Sequence, residues 1–302
     1  MDMDKKSYRR GSDTAFDIIN FFVITVFLLA VLYPCVYVVS ASFSDAEQVA
    51  AGNVKLFPKG FTLKGYQTVF MYQKVWVGFK NSVIYAGLGV SLTLFLVTLA
   101  AYPLSRKTLM SRGVILKLFV FTMYFSGGLI PTYQIVRAVL GVDNIAVMVV
   151  PGAMSVFYTI LMRTYFQNSI PDTLHEAAQI DGCNDYRFLV TVVIPLSKPI
   201  IAIIALYTMV NIWNNYFSAF LYLTSPGKQP LQIVLRNILV LNQVDPQSLR
   251  VGLGSRDPNA LLNLQELMKY SLIIIASAPL LIAYPFVQKF FVRGILIGSI
   301  KG

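Results

Sequence analysis

Six stretches of about 20 residues, each nearly free of charge, dominate this chain: 17 to 39, 80 to 104, 115 to 138, 144 to 164, 200 to 223 and 270 to 290. A bilayer core roughly 30 Å thick is crossed by about 20 apolar residues as a helix, or by about 10 alternating residues as a barrel strand. The runs here are long and do not alternate. Without water to bond the backbone, they must satisfy their own N–H and C=O groups as helices. The expected class is all-α: a polytopic membrane protein with six transmembrane helices. Composition agrees, with 56% hydrophobic and 13% charged residues, against roughly 25% charged in soluble domains.

The net charge of +11 does not point to nucleic acid, because the basic residues are spread around the apolar runs and not gathered on one face. Membrane lipid and membrane orientation account for them. With both ends cytoplasmic, the inner segments collect Lys5, Lys6, Arg9 and Arg10, then Arg106, Lys107, Arg112 and Lys117, then Arg163, Arg187 and Lys198, and finally Lys289, Arg293 and Lys301. The positive-inside rule favours that topology. The outer loops carry lysines and arginines too, but they are long, and the rule weakens with loop length. Lys5 to Arg10 before an apolar run also invites a cleaved-signal reading, with Val39-Ser-Ala41 as the cleavage site. A signal core has about 7 to 15 apolar residues, fewer than the run from Ile18 to Val39, so a retained first span is expected. Cys35 in that span and Cys183 in a cytoplasmic loop should lie at different levels and form no disulfide.

The expected organisation is residues 1 to 79 as a cytoplasmic segment, first span and external loop, 80 to 290 as the transmembrane core, and 291 to 302 as a cytoplasmic tail. Within the core lie a polar cytoplasmic loop, 167 to 198, and an external loop, 224 to 269. Gly52-Asn53, Pro58-Lys-Gly60, Pro226-Gly227, Asp245-Pro246 and Asp257-Pro258 supply turn signals outside.

In the polar loop, Ser169-Ile-Pro-Asp172 reads as a helix start, with Ser169 as cap and Asp172 facing the positive dipole end. A helix of about three turns follows, in which Ala177 and Ala178 keep one face thin, until Gly182 ends it in a left-handed conformation. Asp185 to Val193 forms a second short helix that returns Phe188, Leu189 and Val192 to the bilayer, and Pro195 and Pro199 permit a bend. From physics alone this segment is either a loop stitching two spans together or an amphipathic interfacial pair.

The fifth run carries Asn211, Trp213, Asn214, Asn215, Ser218 and Tyr222, of which Asn211, Asn215, Ser218 and Tyr222 share one helical face. Such a stripe either lines a pathway for a hydroxylated solute or bonds helices together. Ser126-Gly-Gly128 and Pro131 mark an interruption or a close approach in the third run, with Tyr124 and Tyr133 beside it as further pathway candidates. His175 is the single histidine, so neither a histidine metal site nor a Ser-His-Asp triad can be assembled. There is no G-x-x-x-x-G-K-[ST] phosphate loop, and no cofactor is expected in this chain.

Glu176-Ala-Ala, three residues, Gly182, nine residues, then Val192-Val-Ile-Pro195 resembles the EAA signature of ATP-binding-cassette importer permeases, departing from it only aliphatic for aliphatic. KGFTLKGYQTVF, SGGLIPTYQIV, PDTLHEAAQIDG, VVIPLSKP and the terminal FVRGILIGSIKG extend the likeness along nearly the whole chain. They resemble maltose-type carbohydrate permeases, in the oligosaccharide branch of Gram-positive bacteria. The resemblance implies a type I importer permease fold in a bacterial plasma membrane. It also implies a homologous second permease, two cytoplasmic ATPases carrying ATP and Mg²⁺, and an extracellular solute-binding protein. Glu176, Ala177, Ala178, Asp181 and Gly182 would form a coupling helix in an ATPase groove. The expected cargo is a carbohydrate, with pectic or rhamnogalacturonan-type oligosaccharides suiting the basic outer loops and neutral ones also open.

The rival class is an ATP-independent membrane scaffold or sensor using the same loop, distinguished by solute flux that requires ATP. A proton-coupled carrier is disfavoured because no ionisable residue sits at the centre of a span. A reporter fused after Gly302 is expected to behave as cytoplasmic; external behaviour would overturn the topology.

Overall fold

The computed structural model describes residues 11 to 241 and 258 to 298, and every regular element among them is helical. In chain order these are α1 (Gly11–Ser42), α2 (Ala46–Ala50), α3 (Lys64–Met71), α4 (Gln73–Ser105), α5 (Arg112–Tyr124), α6 (Leu129–Leu140), α7 (Ala146–Val149) and α8 (Val156–Ser169). Then come α9 (Asp172–Ile180), α10 (Asp185–Phe188), α11 (Ile194–Leu196), α12 (Lys198–Trp213), α13 (Tyr216–Tyr222), α14 (Leu231–Leu239) and α15 (Pro258–Gly298).

Among the described residues, three helices are long and apolar enough to cross a membrane singly: Ala15–Ser42 within α1, α4, and Leu262–Gln288 within α15. Two further bent pairs, α5 with α6 at 113° and Asp185–Leu196 with α12 at 78°, bring the number to at most five. The six spans expected from the sequence are therefore not confirmed as six, and three of the expected runs are interrupted. The run at 115 to 138 breaks where Gly128 takes φ +82°, a conformation that only glycine adopts without strain. The run at 144 to 164 divides at Pro151-Gly152, leaving α8 with 14 residues. The run at 200 to 223 breaks at Asn214 and Asn215, which end α12 and cap α13.

One compact unit gathers the described parts of Met1–Met71 and Val244–Ile274. Its core joins Ala41, Val49 and Val54 to Leu264 and Leu267. Asp45 donates its backbone N–H to Lys59 O at 2.9 Å, and Ser42 and Tyr66 share a hydroxyl bond of 2.9 Å. Gly52 and Gly60 turn with φ of +70° and +65°, as their turn signals suggested. Apolar residues of α1 such as Phe21, Phe27 and Leu29 lie exposed, as suits a helix whose solvent is lipid or another membrane chain.

The other unit comprises the described parts of Tyr72–Gln243 and Ile275–Gly302. It is organised on α4, where Gly78, Ser82, Tyr85, Ala86, Gly89, Thr93, Val97, Ala101 and Leu104 are buried at three- and four-residue intervals. Most are small, so α8, α12 and α14 approach closely. A Cβ at Gly78 would lie 3.0 and 3.1 Å from the Leu231 backbone, which cannot rotate away. Towards one end, Val97, Ala101 and Tyr102 pack with Met162, Phe166, Phe188, Val193 and Ile204. Towards the other, Tyr85 packs with Val136, Val147, Met148, Ala219, Tyr222 and Ile233.

The expected loop from 224 to 269 is partly helical: α14 falls inside it, and α15 begins at Pro258, where a missing N–H costs nothing in a first turn. Asp245-Pro246, the residues before Gly11 and those after Gly298 lie outside the described residues.

Overpacking at the α4–α14 approach gives a direct check. Gly78→Val is expected to destabilise the protein by about 1–3 kcal/mol, read as a lower melting temperature in detergent, whereas Gly87→Ala, with nothing within 4 Å, should leave it unchanged.

Candidate functional site

The segment singled out in the sequence folds into α9, a turn, and a bent return to the bilayer. Ser169 closes α8 instead of capping α9; the N-cap position falls to Pro171, and no side chain caps the helix. The expected Ser169 cap fails because α8 runs five residues past the end of its apolar stretch at 164, to Ser169 itself. Asp172 does sit in the first turn, where its carboxylate meets Lys107 Nζ at 2.7 Å. At the other end Gly182 has φ +74° and donates to Gln179 O, while Cys183 N–H donates to Ala178 O. Those two bonds form a Schellman closure, which requires the left-handed residue that glycine supplies.

After the turn, Asn184 Oδ1 accepts from Arg187 N–H and opens α10. The helix continues through a π turn at Leu189–Val193 into α11. Pro195 cannot donate within a regular helix, and the wider turn accommodates its ring. Phe188 and Leu189 are buried and Val192 packs beside them, as the returning apolar face requires.

This arrangement leaves α9 standing out. Glu176, Ala177, Asp181 and Gly182 are exposed, and only His175 and Ala178 are half-buried on one face. Ile180 is 87% exposed, a large apolar side chain with nothing to bury it. Glu176 makes no ion pair among the described residues. A thin alanine face beside an exposed isoleucine and a free carboxylate is chemistry that a partner's groove can cover.

The helix is tied down at both ends. Besides Lys107 and Asp172, His175 Nε2 lies 2.8 Å from Asp185 Oδ1, and Tyr102 donates its hydroxyl to the same oxygen at 3.2 Å. The His175 ring meets Phe188 edge-on at 5.0 Å. The hydrogen bond from His175 holds the Asp185 carboxyl below its ordinary range. A depressed carboxyl contributes above the unfolded value of about 3.9 and is lost as pH falls through the folded one, so this tie persists at neutral pH. Arg106, 8% exposed, places its guanidinium 5.0 Å from the Tyr102 ring and 5.3 Å from the Phe188 ring. Arg163 Nε donates to Leu104 O at 2.9 Å and Gln167 to Ser105 O at 3.3 Å, satisfying carbonyls at the end of α4. The sequence had counted Arg106 and Arg163 only as charges near a span end.

The opposite end of α4 carries a second knot. Asp143, with φ +58°, accepts from Thr224 N–H and Ser225 N–H at 3.2 and 2.9 Å, and from the Ser225 hydroxyl and Lys228 Nζ. The Ser225 hydroxyl and N–H, with Lys228, hold its carboxyl well below the usual range. Tyr85 donates to Lys228 O at 2.6 Å, and Asn81 to Gly227 O and Gln229 O. Sequence reading missed Asp143; the Gly141-Val-Asp-Asn144 run was the available signal.

Between these ends lies a cavity of about 410 Å³, bordered by α7, the turn that follows it, the start of α8, the end of α12 and the start of α13. Asn211, Asn215 and Ser218 of the expected polar stripe line it, joined by Thr208, Ser155 and Tyr158, which the sequence did not single out. Thr208 lies one turn before Asn211 on α12, so extending the stripe backwards would have found it.

Other candidates lie elsewhere. Trp213 is 2% exposed and donates Nε1–H to Ala276 O at 2.9 Å, so its indole offers no face to a solute. Tyr222 stacks on Tyr133 at 5.5 Å in a packed cluster. Asn214 is exposed and accepts a long bond from Gln232, and Tyr124 is exposed on α5. The stripe divides because α12 ends before α13 begins, which turns Tyr222 away from Asn211.

Residues 6–297 match the family described as binding-protein-dependent transport system inner membrane component. The chain is 37% identical over 288 residues to the polygalacturonan/rhamnogalacturonan transport system permease protein YtcP of Bacillus subtilis, covering 95% of this chain and 98% of that one. It is 36% identical over 287 residues to protein LplC of the same organism, covering 95% of each. Among solved structures, a bacterial ABC transporter involved in the import of the acidic polysaccharide alginate contains a chain that superposes with a TM-score of 0.86 at 33% identity, covering 95% of this chain and 100% of that one. An all-helical chain with this exposed EAA helix, matched over nearly its whole length, is a transport subunit and not an enzyme: it belongs to the family of inner membrane components of binding-protein-dependent transport systems, the multi-pass permeases of ABC importers.

Proposed function

We propose that this permease forms one half of the pathway through which a bacterium imports oligosaccharides, with pectic or rhamnogalacturonan-type chains as the substrate class. A homologous second permease supplies the other half, and an extracellular binding protein delivers the solute. Two cytoplasmic ATPases hold the ATP and Mg²⁺, and both termini of this chain face them. The supporting relatives are named for polygalacturonan/rhamnogalacturonan and for alginate transport.

The observation that carries the reading is α9: exposed along Glu176, Ala177, Ile180 and Asp181, yet tied at Asp172 and His175 to the end of α4 and to α10. An element that is free on one side and anchored on the other transmits displacement. When the ATPases close, α9 moves with them, and the anchors carry that motion to α4, on which α8, α12 and α14 pack. Alternating access then requires two arrangements of the bundle with different affinity for the solute. The cavity bordered by Asn211, Asn215 and Ser218 lies on the proposed route.

Asn215 has a structural duty as well, since its Oδ1 accepts from Ser218 N–H and caps α13. Loss of assembly in Asn215→Leu would therefore report the cap and not the route.

Glu176→Lys and Gly182→Trp test the coupling. Both are expected to insert and to assemble with the second permease. Uptake should fall at least tenfold, and ATP hydrolysis should no longer respond to loaded binding protein. Gly182→Trp acts through the backbone, because a left-handed non-glycine residue costs about 1–2 kcal/mol. Wild-type uptake in both variants would remove α9 from the coupling role.

A further inference from the structure

Six polar side chains border the cavity: Ser155, Tyr158, Thr208, Asn211, Asn215 and Ser218. Thr208 is the informative one. It is 5% exposed, and its hydroxyl has no hydrogen-bond partner, not even a carbonyl one turn back on its own helix. A buried hydroxyl left unpaired is costly; Thr93 and Ser197 are left so too, but of the three only Thr208 stands at the cavity wall.

Its neighbours retain capacity too. Asn211 donates one N–H to Tyr158 OH at 3.0 Å, which leaves its second N–H, its carbonyl oxygen and the tyrosine proton free. Ser155 accepts from Tyr158 N–H and keeps its own proton to give. Asn215 and Ser218 are engaged with each other and form a rigid rim. The rest of the wall is apolar, from Val147, Met148, Pro151 and Ile212.

Among the described residues, no Lys, Arg or His lines the cavity. An ionised carboxylate against this wall would meet no counter-charge from the described residues to offset whatever hydration it gave up, which disfavours it there. The hydroxylated edge of a sugar ring fits better, because its C–H faces suit the apolar wall and its hydroxyls can bond Thr208, Asn211, Tyr158 and Ser155.

We infer that this cavity is a subsite for the hydroxylated edge of one sugar ring, and that carboxylates of an acidic oligosaccharide stay outside it and are recognised elsewhere in the importer. The inference rests on the oligosaccharide reading and narrows it: this permease contributes hydroxyl recognition and not charge recognition.

The test uses the complete importer reconstituted in vesicles, with galacturonic acid oligomers of two to four units, their full methyl esters, and matching galactose oligomers as probes. Thr208→Val removes only the unpaired hydroxyl. Assembly and melting temperature are expected to stay at wild-type values, since no protein bond is lost. Uptake of acid, ester and neutral oligomers should fall together by about 3- to 10-fold, the worth of one hydrogen bond, with the acid-to-ester ratio unchanged. Asn211→Leu should act in the same direction on all three.

A shift in the acid-to-ester ratio in Thr208→Val would show that the cavity senses charge and would overturn the assignment. Unchanged uptake of every probe in both variants would remove the cavity as a subsite while leaving the importer reading intact. A wild-type complex that moves none of the probes under ATP would instead remove the pectic reading, and the subsite with it.

Discussion

Close approach along one face of α4 is the constraint on which the larger unit depends. Gly78, Ser82, Ala86 and Gly89 leave almost no side chain between helices. In a membrane, where burial against lipid tails gives apolar surface little advantage, packing contact must hold helices together. At the two ends of the same helix, packing gives way to polar ties. The Tyr85 hydroxyl, Asn81 and Ser82 hold the 227 to 231 turn. Tyr102 and the last carbonyls of α4 hold α10 and α8.

On the proposed coupling role, that construction is what would carry a small displacement at α9 into the helix bundle. The helix is bound through Lys107 and Asp172 to the residues just after α4, and through His175 and Asp185 to α10, whose Phe188 is buried in the α4–α8–α12 core. A lever needs a packed root and an unburied working face, and the contacts of α9 supply both for the proposed role. The buried Arg106, stacked between Tyr102 and Phe188, belongs to the root.

The α9 segment was legible because its signals are local. A left-handed stop at Gly182, an alanine face and an acidic first turn are decided by residues within a few positions. The fold class was legible from run length for a similar reason. Span continuity was not: Gly127-Gly128, Pro151-Gly152 and Asn214-Asn215 break three runs, yet such residues are tolerated inside unbroken membrane helices, so neighbours decide the outcome. The polar stripe shows the consequence. Assuming one helix from Asn211 to Tyr222 put Tyr222 on the stripe, whereas the break turns it onto Tyr133, and Trp213, a candidate by residue type, is buried with its indole N–H bonded to Ala276 O. Thr208, whose unpaired hydroxyl points most clearly to a ligand, gave no signal by residue type, because threonine in a membrane helix normally bonds its own backbone.

The central claim is that α9 is the surface through which ATP hydrolysis moves this permease. The most direct measurement is photo-crosslinking in native membranes from a reactive side chain placed at position 180, where Ile180 lies exposed on α9. The account predicts an adduct with an ABC ATPase subunit whose yield changes when ATP binds and is hydrolysed. An expressed and inserted permease that crosslinks there to no ATPase, with or without nucleotide, would contradict it.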